Sequence, residues 1–437
     1  MLKSLKKFYI ESLGCPKNLV DSEKIAAIFI KNDYQMVNNP SEAEIIVINT
    51  CGFIKPAKEE SIDTILQMSE YKDTGNCKYL IVAGCLVQRY EAELRKSLPE
   101  VDYFFNIENF SNINYLLNSY VHIDIKKRHL LTPSHFAYLR ISDGCDNCCS
   151  YCAIPKIRGR LRSKPIPELI NEASQLVKNG VKELIIIAQD IGNYGLDLYE
   201  KEKLCELLFE LDKINKLHWI RLMYLHPKHI SEKLLKLIAK SEKICKYLDI
   251  PIQHINDRIL NMMNRKISKN EIIQKLSLIK EIIPEAALRT TILVGFPGET
   301  KEEFKELLEF VKTQRFSKLG CFSYSKEEGT KAAILNPQIP ERIKKNRLNT
   351  ILKSQQNISK KILEKCVGQK LNVIVDRKVE DSVFECRTEF DAPEIDGIVY
   401  LQDADVNVGD IVCIIIQDSL EYDLIGSISP FTKKKGK

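Results

Sequence analysis

From Lys6 to about Tyr120, short apolar runs alternate with amphipathic stretches. The runs lie at Phe8–Leu13, Ile45–Ile48 and Leu80–Ala83, and helix-like segments follow at Ser22–Lys31, Pro56–Met68 and Gln88–Ser97. Strands alternating with helices predict a parallel sheet with right-handed crossovers. A basic, Pro-containing stretch at Lys126–Ser134 has the composition of a linker, and the same rhythm then resumes from about Phe136 to Thr330. Its candidate strands are Ala137–Ser142, Glu183–Ala188, Trp219–Tyr224, Tyr247–Pro251, Leu288–Val294 and Lys318–Ser323. Six consecutive βα units predict a partial (βα)6 barrel with its active site at the C-terminal strand ends. Pro337 and Pro340 close this region, and a long polar helix runs from about Glu341 to Cys366. Short alternating strands fill Leu371 to Ile428, with turns at Asp396-Gly397 and Val408-Gly409-Asp410, which predicts a small all-β barrel. The expected class is α/β in three domains: residues 1–125 with the parallel sheet, 135–365 with the βα barrel and 366–430 with the β-barrel.

Composition alters this picture in one respect. With 437 residues, 44% of them apolar and 28% charged, the chain has ample material for real cores. No stretch approaches the roughly 20 apolar residues that span a bilayer, and Met1–Ile10 lacks a signal-length apolar run, so a cytoplasmic location is expected. Fourteen cysteines in so long a chain then point to metal or redox chemistry rather than to a disulfide scaffold. Cys77, Cys205, Cys245, Cys321, Cys366, Cys386 and Cys413 sit singly in apolar surroundings and are expected to be small buried hydrophobes. The other seven are placed differently.

Four of them form Cys145-Asp-Asn-Cys-Cys149-Ser-Tyr-Cys152, just after the first strand of the second domain. Thiolates of Cys145, Cys149 and Cys152 on one loop can hold three irons of a cubane cluster and leave the fourth iron without a protein ligand. A zinc knuckle on the same residues is the alternative, but adjacent Cys148-Cys149 fits a C-x2-C pair poorly and no second pair follows nearby. The remaining three are Cys15, Cys51 and Cys85, thirty-six and thirty-four residues apart, each directly after a predicted strand of the first domain. Loops that follow the strands of an open parallel sheet gather along one edge, so these thiols should converge there. Glycines stand before Cys15 and Cys85 and after Cys51, where backbone must pass close to a bulky ligand. Taken alone, three structural cysteines would explain that pattern equally well; beside the first motif, a second cluster explains it better.

The CxxxCxxC loop resembles the radical S-adenosylmethionine (SAM) superfamily, with Tyr151 matching its aromatic and Cys148 at a variable position. The resemblance implies that SAM chelates the open iron and is cleaved reductively to a carbon radical. Two cysteine sets followed by a β domain resemble the methylthiotransferase family over essentially the whole chain. Its signatures are matched by Leu13-Gly-Cys-Pro-Lys-Asn-Leu-Val-Asp-Ser-Glu23, Val47-Ile-Asn-Thr-Cys-Gly-Phe-Ile54, Ile154-Pro-Lys-Ile-Arg-Gly159 and Leu293-Val-Gly-Phe-Pro-Gly-Glu-Thr300. Within the family, Cys15-Pro-Lys-Asn18 and Asp391-Ala-Pro-Glu-Ile-Asp-Gly397 resemble the RimO-type branch, which methylthiolates an aspartate β-carbon in the twelfth small-subunit ribosomal protein. That implies two [4Fe-4S] clusters, SAM both as methyl donor and as radical source, a TRAM-like terminal barrel, the ribosomal protein as partner and an electron donor protein. Such a C–H bond offers no leaving group, so acid–base catalysis worth roughly 10²–10⁴-fold would not suffice.

Charge bears on the substrate. Between Leu371 and Pro430 there are fourteen acids against Arg377, Lys378 and Arg387, a net charge of −11 within a chain of net +6. Such a domain repels RNA and attracts a basic ribosomal protein, which argues against a tRNA adenosine methylthiotransferase, the sister activity, although acids that merely solvate a small barrel would also account for the charge. A non-catalytic zinc-binding RNA adaptor is the distant alternative, separated from both enzymes by iron and sulfide analysis. Gln189 and Gln253, after the second and fourth barrel strands, stand where SAM or substrate would sit, although capping would also account for them. His226 reads as a structured loop residue, and Val294–Thr300 as a loop that cradles a ligand or caps the next helix.

Overall fold

The computed structural model describes residues 6–117 and 128–428, and the chain divides into two compact units. The expected linker begins outside the described residues, and the basic tail Lys433–Lys437 lies wholly outside them.

The first unit comprises Met1–Thr132, Asp143–Arg162 and Ser325–Thr330. Its frame is a parallel sheet of β1 (Lys6–Ser12), β2 (Tyr34–Met36), β3 (Ile45–Thr50), β4 (Tyr79–Gly84) and β5 (Tyr103–Phe105), in the order β2-β1-β3-β4-β5. Helices α1 (Pro16–Lys31), α2 (Lys55–Ser69) and α3 (Cys85–Ser97) follow β1, β3 and β4. Strand β3 is buried along its whole length, as a central parallel strand covered on both faces must be. One core gathers Ile46, Ile48, Leu80 and Val82 under α2 and α3, and the other gathers Phe8, Val47 and Ile81 under α1. The three-residue strands β2 and β5 carry no alternation from which the sequence could announce them.

The second unit comprises Pro133–Ser142, Ser163–Tyr324 and Lys331–Lys437. Six strands, β6 (Phe136–Arg140), β7 (Glu183–Ile187), β8 (Trp219–Leu222), β9 (Ile244–Asp249), β10 (Ala287–Val294) and β11 (Lys318–Ser323), pair in sequence order, each parallel to its neighbour. This is the expected open (βα)6 sheet. The helix Glu341–Leu363 then leads to a closed barrel of β12 (Lys370–Glu380), β13 (Val383–Thr388), β14 (Val399–Gln402), β15 (Ile411–Ser419) and β16 (Leu424–Ile428). Closure removes the exposed edges that so small a sheet would otherwise present.

The β-barrel is seated on the end of the (βα)6 sheet where the strands begin. Arg387 bridges Glu183 (2.8 Å) and Asp376 (2.6 Å), Arg221 donates to Glu183 (2.7 Å) and to the Glu389 carbonyl (2.7 Å), and His135 pairs with Asp376 (2.8 Å). Asp391 accepts from Lys318, and Asp396 from the Tyr247 hydroxyl at 2.7 Å. The Asp391–Gly397 segment thus fastens the terminal barrel to the sheet through its first and sixth residues, while Glu394 and Ile395 face solvent. Asp376, Asp391 and Asp396 of the −11 domain are spent in this junction. Glu380, Asp381, Glu394, Asp403, Asp405, Asp418 and Glu421 remain exposed, against Arg377 and Lys378, so the outer surface stays acidic.

Candidate functional site

Cys15, Cys51 and Cys85 each stand where a strand of the first unit ends, Cys15 and Cys85 at the start of α1 and α3. The loops meet at distances only glycine permits. A Cβ on Gly14, whose φ is +87°, would lie 2.7 Å from Cys51 Cβ and 2.9 Å from its Sγ, and one on Gly52 would lie 2.7 Å from the Cys85 carbonyl oxygen. Asn18 binds two of the loops together, its Nδ2 donating to the carbonyls of Leu13 (2.7 Å) and Asn49 (3.1 Å). Asn49 returns a bond to the Asn18 carbonyl (2.8 Å), and Thr50 Oγ1 donates to the Ala83 carbonyl (2.6 Å). The backbone N–H of Cys51 donates to Ser61 Oγ (3.0 Å). Convergence of the three thiols, expected from topology, is therefore enforced by the residues beside them.

The second cysteine set lies in the same unit. Gly144 (φ +68°) opens the loop, where a Cβ would strike the Arg160 carbonyl oxygen at 1.9 Å, and Cys145 N–H donates to the Gly159 carbonyl (3.2 Å). Cys145, Cys149 and Cys152 are half-buried and Cys148 is exposed, which separates the extra thiol from the other three. Tyr151 is half-buried on the same loop. The short helix α4 (Ile154–Ile157) follows, and Ala153 and Ile157 pack with Cys85 and Phe53.

Arg158 ends that helix, and nothing in the motif had assigned it a role. Its Nη1 donates to Asp21 (2.7 Å), and its Nη2 to Asn18 Oδ1 (3.2 Å) and to the sulfur of Cys85 (3.3 Å). Burial pushes the Cys85 thiol up to about 12, against the pull of Arg158, and burial also raises the Cys51 thiol. A thiol held this way ionises when a metal takes the proton's place, and metal binding deprotonates a coordinating thiol outright. The three sulfurs lie close enough to influence one another electrostatically. Among the described residues no three His, Cys, Asp or Glu side chains close tightly around a point that would hold a single ion. A cubane is a larger body whose thiolates stand at separate corners, so the donor set and its glycine-cleared space fit one.

Glu327, from a segment distant in sequence, completes the unit. It accepts from the N–H of Lys55 (2.8 Å), from Lys58 (2.8 Å) and from Arg89 (3.2 Å), and Arg89 also donates to the Gly52 carbonyl (2.7 Å). Burial works against the Glu327 carboxylate, but the hydrogen bonds from Lys58, Ser325 and Arg89 prevail and hold its pKa below the ordinary value.

Gln189 and Gln253 belong to the second unit, half-buried beyond the C-terminal ends of β7 and β9. Gln253 (φ +71°) donates its N–H to the Thr291 carbonyl (2.8 Å) and accepts at its own carbonyl from Leu293 (2.8 Å), which pins its backbone to β10. Asp190 receives the N–H groups of Gly192 (3.0 Å) and His226 (3.2 Å). Burial drives the His226 imidazole down to about 3, and its Nδ1 accepts from Lys228 N–H (3.1 Å), so this histidine is a neutral loop cap. Thr300 caps the helix Lys301–Gln314 reciprocally with Glu303. Among the described residues no helix is long and apolar enough to cross a membrane.

Three family descriptions match the chain: Uncharacterized protein family UPF0004 over residues 7–106, Radical SAM superfamily over 139–311 and TRAM domain over 367–428. Among solved structures, the radical SAM methyltransferase TsrM from Kitasatospora setae superposes with a TM-score of 0.56 at 11% identity, over 86% of this chain and 79% of that one. The cobalamin-dependent radical enzyme OxsB gives 0.51 at 12% identity, over 81% of this chain and 58% of that one. At such identities the likeness is one of fold. The ribosomal protein uS12 methylthiotransferases RimO of Clostridioides difficile strain 630 and Clostridium acetobutylicum are 46% and 45% identical, each over 97% of this chain and 98% of the relative. With both cysteine sets in one unit and identity sustained from end to end, the chain belongs to the radical SAM methylthiotransferase family, in its RimO branch.

Proposed function

We propose that the protein converts an aspartate of ribosomal protein uS12 to 3-methylthioaspartate in the cytoplasm, drawing electrons from a donor protein. Cys145, Cys149 and Cys152 hold the cluster that binds SAM, and Cys15, Cys51 and Cys85 hold an auxiliary cluster. Tyr151, Gln189 and Gln253 contact SAM. The domains are 1–125, 135–365 and 366–430. When bound, the two [4Fe-4S] clusters and SAM supply C–H activation and the transfer of sulfur and methyl; the chain orients them and excludes competing reactions.

The observation that carries this reading is the glycine-cleared meeting of three cysteine loops with the CxxxCxxC segment packed against one of them. Asn18, Asn49 and Thr50 fix the loops, and Glu327 with Arg89 fixes the backbone beside Cys51. The terminal barrel is seated away from the strand ends where Gln189 and Gln253 lie, so its exposed acids act on a basic substrate as a steering field rather than as a wall of the active site. The test is a competition assay with purified uS12 and unmodified tRNA offered together to the reconstituted enzyme. Methylthio label should appear in uS12 aspartate; label in tRNA adenosine with uS12 untouched would overturn the substrate while leaving the radical chemistry intact.

A further inference from the structure

Arg158 lies on the segment of one cysteine set, but its charge is directed at the other. The side chain is almost fully buried, as is that of its partner Asp21. A buried guanidinium left without a carboxylate would cost several kcal/mol, so Asp21, with Asp143 more distant at 3.4 Å, allows a positive charge to be held there. The planar fork divides its work: Nη1 faces the carboxylates of Asp21 and Asp143, while Nη2 faces Asn18 Oδ1 and Cys85 Sγ. Asn18 is itself committed to the Leu13 and Asn49 carbonyls, so the direction of the fork is fixed from both sides. The charge also acts on Cys51 and interacts with Cys15, so its field reaches the whole set.

We infer that Arg158 is a positioning residue of the auxiliary cluster: it donates a charged N–H···S hydrogen bond to the Cys85 thiolate and thereby raises that cluster's reduction potential, while Asp21 opposes the effect. This rests on the reading that Cys15, Cys51 and Cys85 carry a cluster. Hydrogen bonds to cluster sulfurs and net charge nearby are the levers that set such potentials, and partners behind a metal ligand orient it. A cation that favours the electron-rich reduced state makes reduction easier; a buried anion makes it harder. Because Arg158 follows directly on the helix after Cys152, any rearrangement of the radical SAM loop that moves this helix would be felt at Cys85.

The experiment uses full-length protein carrying Cys145→Ala, Cys149→Ala and Cys152→Ala, reconstituted anaerobically so that only the auxiliary cluster remains. Its midpoint potential is read by EPR after poising with mediators. Arg158→Gln should lower the reduced-to-oxidised ratio at fixed potential about tenfold, which is a shift of about 59 mV for a one-electron couple. Asp21→Asn should move the midpoint the opposite way, Arg158→Lys should restore part of the loss, and the double variant Asp21→Asn/Arg158→Gln should fall between the singles. A purely structural role predicts loss of iron in every variant and no pair of opposite shifts. If Arg158→Gln loses its iron, the Asp21→Asn shift still decides. An unchanged or lowered midpoint in Asp21→Asn, or an unchanged one in an iron-loaded Arg158→Gln, overturns the inference alone; absence of any cluster in the triple-alanine parent overturns the underlying reading as well.

Discussion

Arg158 in the first unit and Arg387 in the second are both buried and both paired with carboxylates, but they differ in where their remaining donors go. Arg387 is satisfied by Glu183, Asp376 and the Asp391 carbonyl (3.3 Å), all of them part of the junction between the terminal barrel and the sheet. Arg158 satisfies Asp21, Asp143 and Asn18 and also donates to a sulfur. Burial and ion pairing are common to both, so neither marks function. The distinguishing feature is a donor aimed at the sulfur of Cys85.

The comparison breaks most visibly at the cysteines. Replacing Cys145, Cys149 and Cys152 by alanine should lower iron to about half and abolish reductive SAM cleavage. Replacing Cys15, Cys51 and Cys85 should likewise remove about half of the iron and leave no methylthio product by mass spectrometry. Iron analysis showing a full complement in either variant would refute the corresponding ligand set. Next in size is the junction: Arg387→Met leaves Asp376 with His135 alone and takes the partner from one oxygen of Glu183, and should cost about 3–5 kcal/mol by chemical denaturation, the usual penalty for breaking a buried pair. A loss under 1 kcal/mol would mean that the junction does not hold the barrel.

Acid should find the same junction. Burial opposes ionisation of Glu183, Asp376 and Asp391, but Arg387 and Arg221, His135 with Arg387, and Lys318 respectively outweigh it and depress all three pKa values. Their stabilisation is complete above the unfolded values of 4.5 for Glu and 3.8 for Asp, and is lost as pH falls through the lower folded values. Asp396 is raised by burial, so its contribution runs the other way and fades as pH rises through its folded value. Denaturation midpoints should therefore fall steeply below about pH 4 in the parent and less steeply in Arg387→Met. The smallest effect belongs to the outer surface. Reversing Glu380, Asp381, Asp403 and Asp405 to Lys should slow uS12 modification at low salt, with the difference shrinking as salt screens it over roughly 8–10 Å. Stability should change by no more than about 0.5 kcal/mol per site.

Much of this architecture was legible because each βα unit announces itself by period. The strand starts at Ile45, Glu183, Trp219 and Lys318 fall where the apolar runs begin. Helix α1 begins at Pro16, six residues before the amphipathic signal at Ser22, because the polar positions Lys17, Asn18, Asp21 and Ser22 are buried around the cysteine loops. Periodicity misassigns such residues, since their burial serves the site rather than the core. The convergence of Cys15, Cys51 and Cys85 followed from topology. The partnership of Arg158 with Cys85 did not, because it joins positions 73 residues apart through side-chain reach alone. The Asp391–Gly397 segment, a family mark in sequence, is also a fastening, a role that only its partners Lys318 and Tyr247 reveal.

The first unit is assembled from three stretches of chain, and that has a consequence for the order of synthesis. The sheet leaves the ribosome early, but Arg158 follows Asp21 by 137 residues and Glu327 follows Arg89 by 238. At translation rates of about 5–20 residues per second, the nascent sheet waits on the order of 10–50 s for its last partner. Until the Asp143–Arg162 stretch emerges, Cys85 lacks the donor of Arg158, and Cys85 and Phe53 lack the cover of Ala153 and Ile157. Iron delivered before Glu327 emerges would meet an unfinished cradle, and a fragment ending near residue 125 would lack both Arg158 and Glu327.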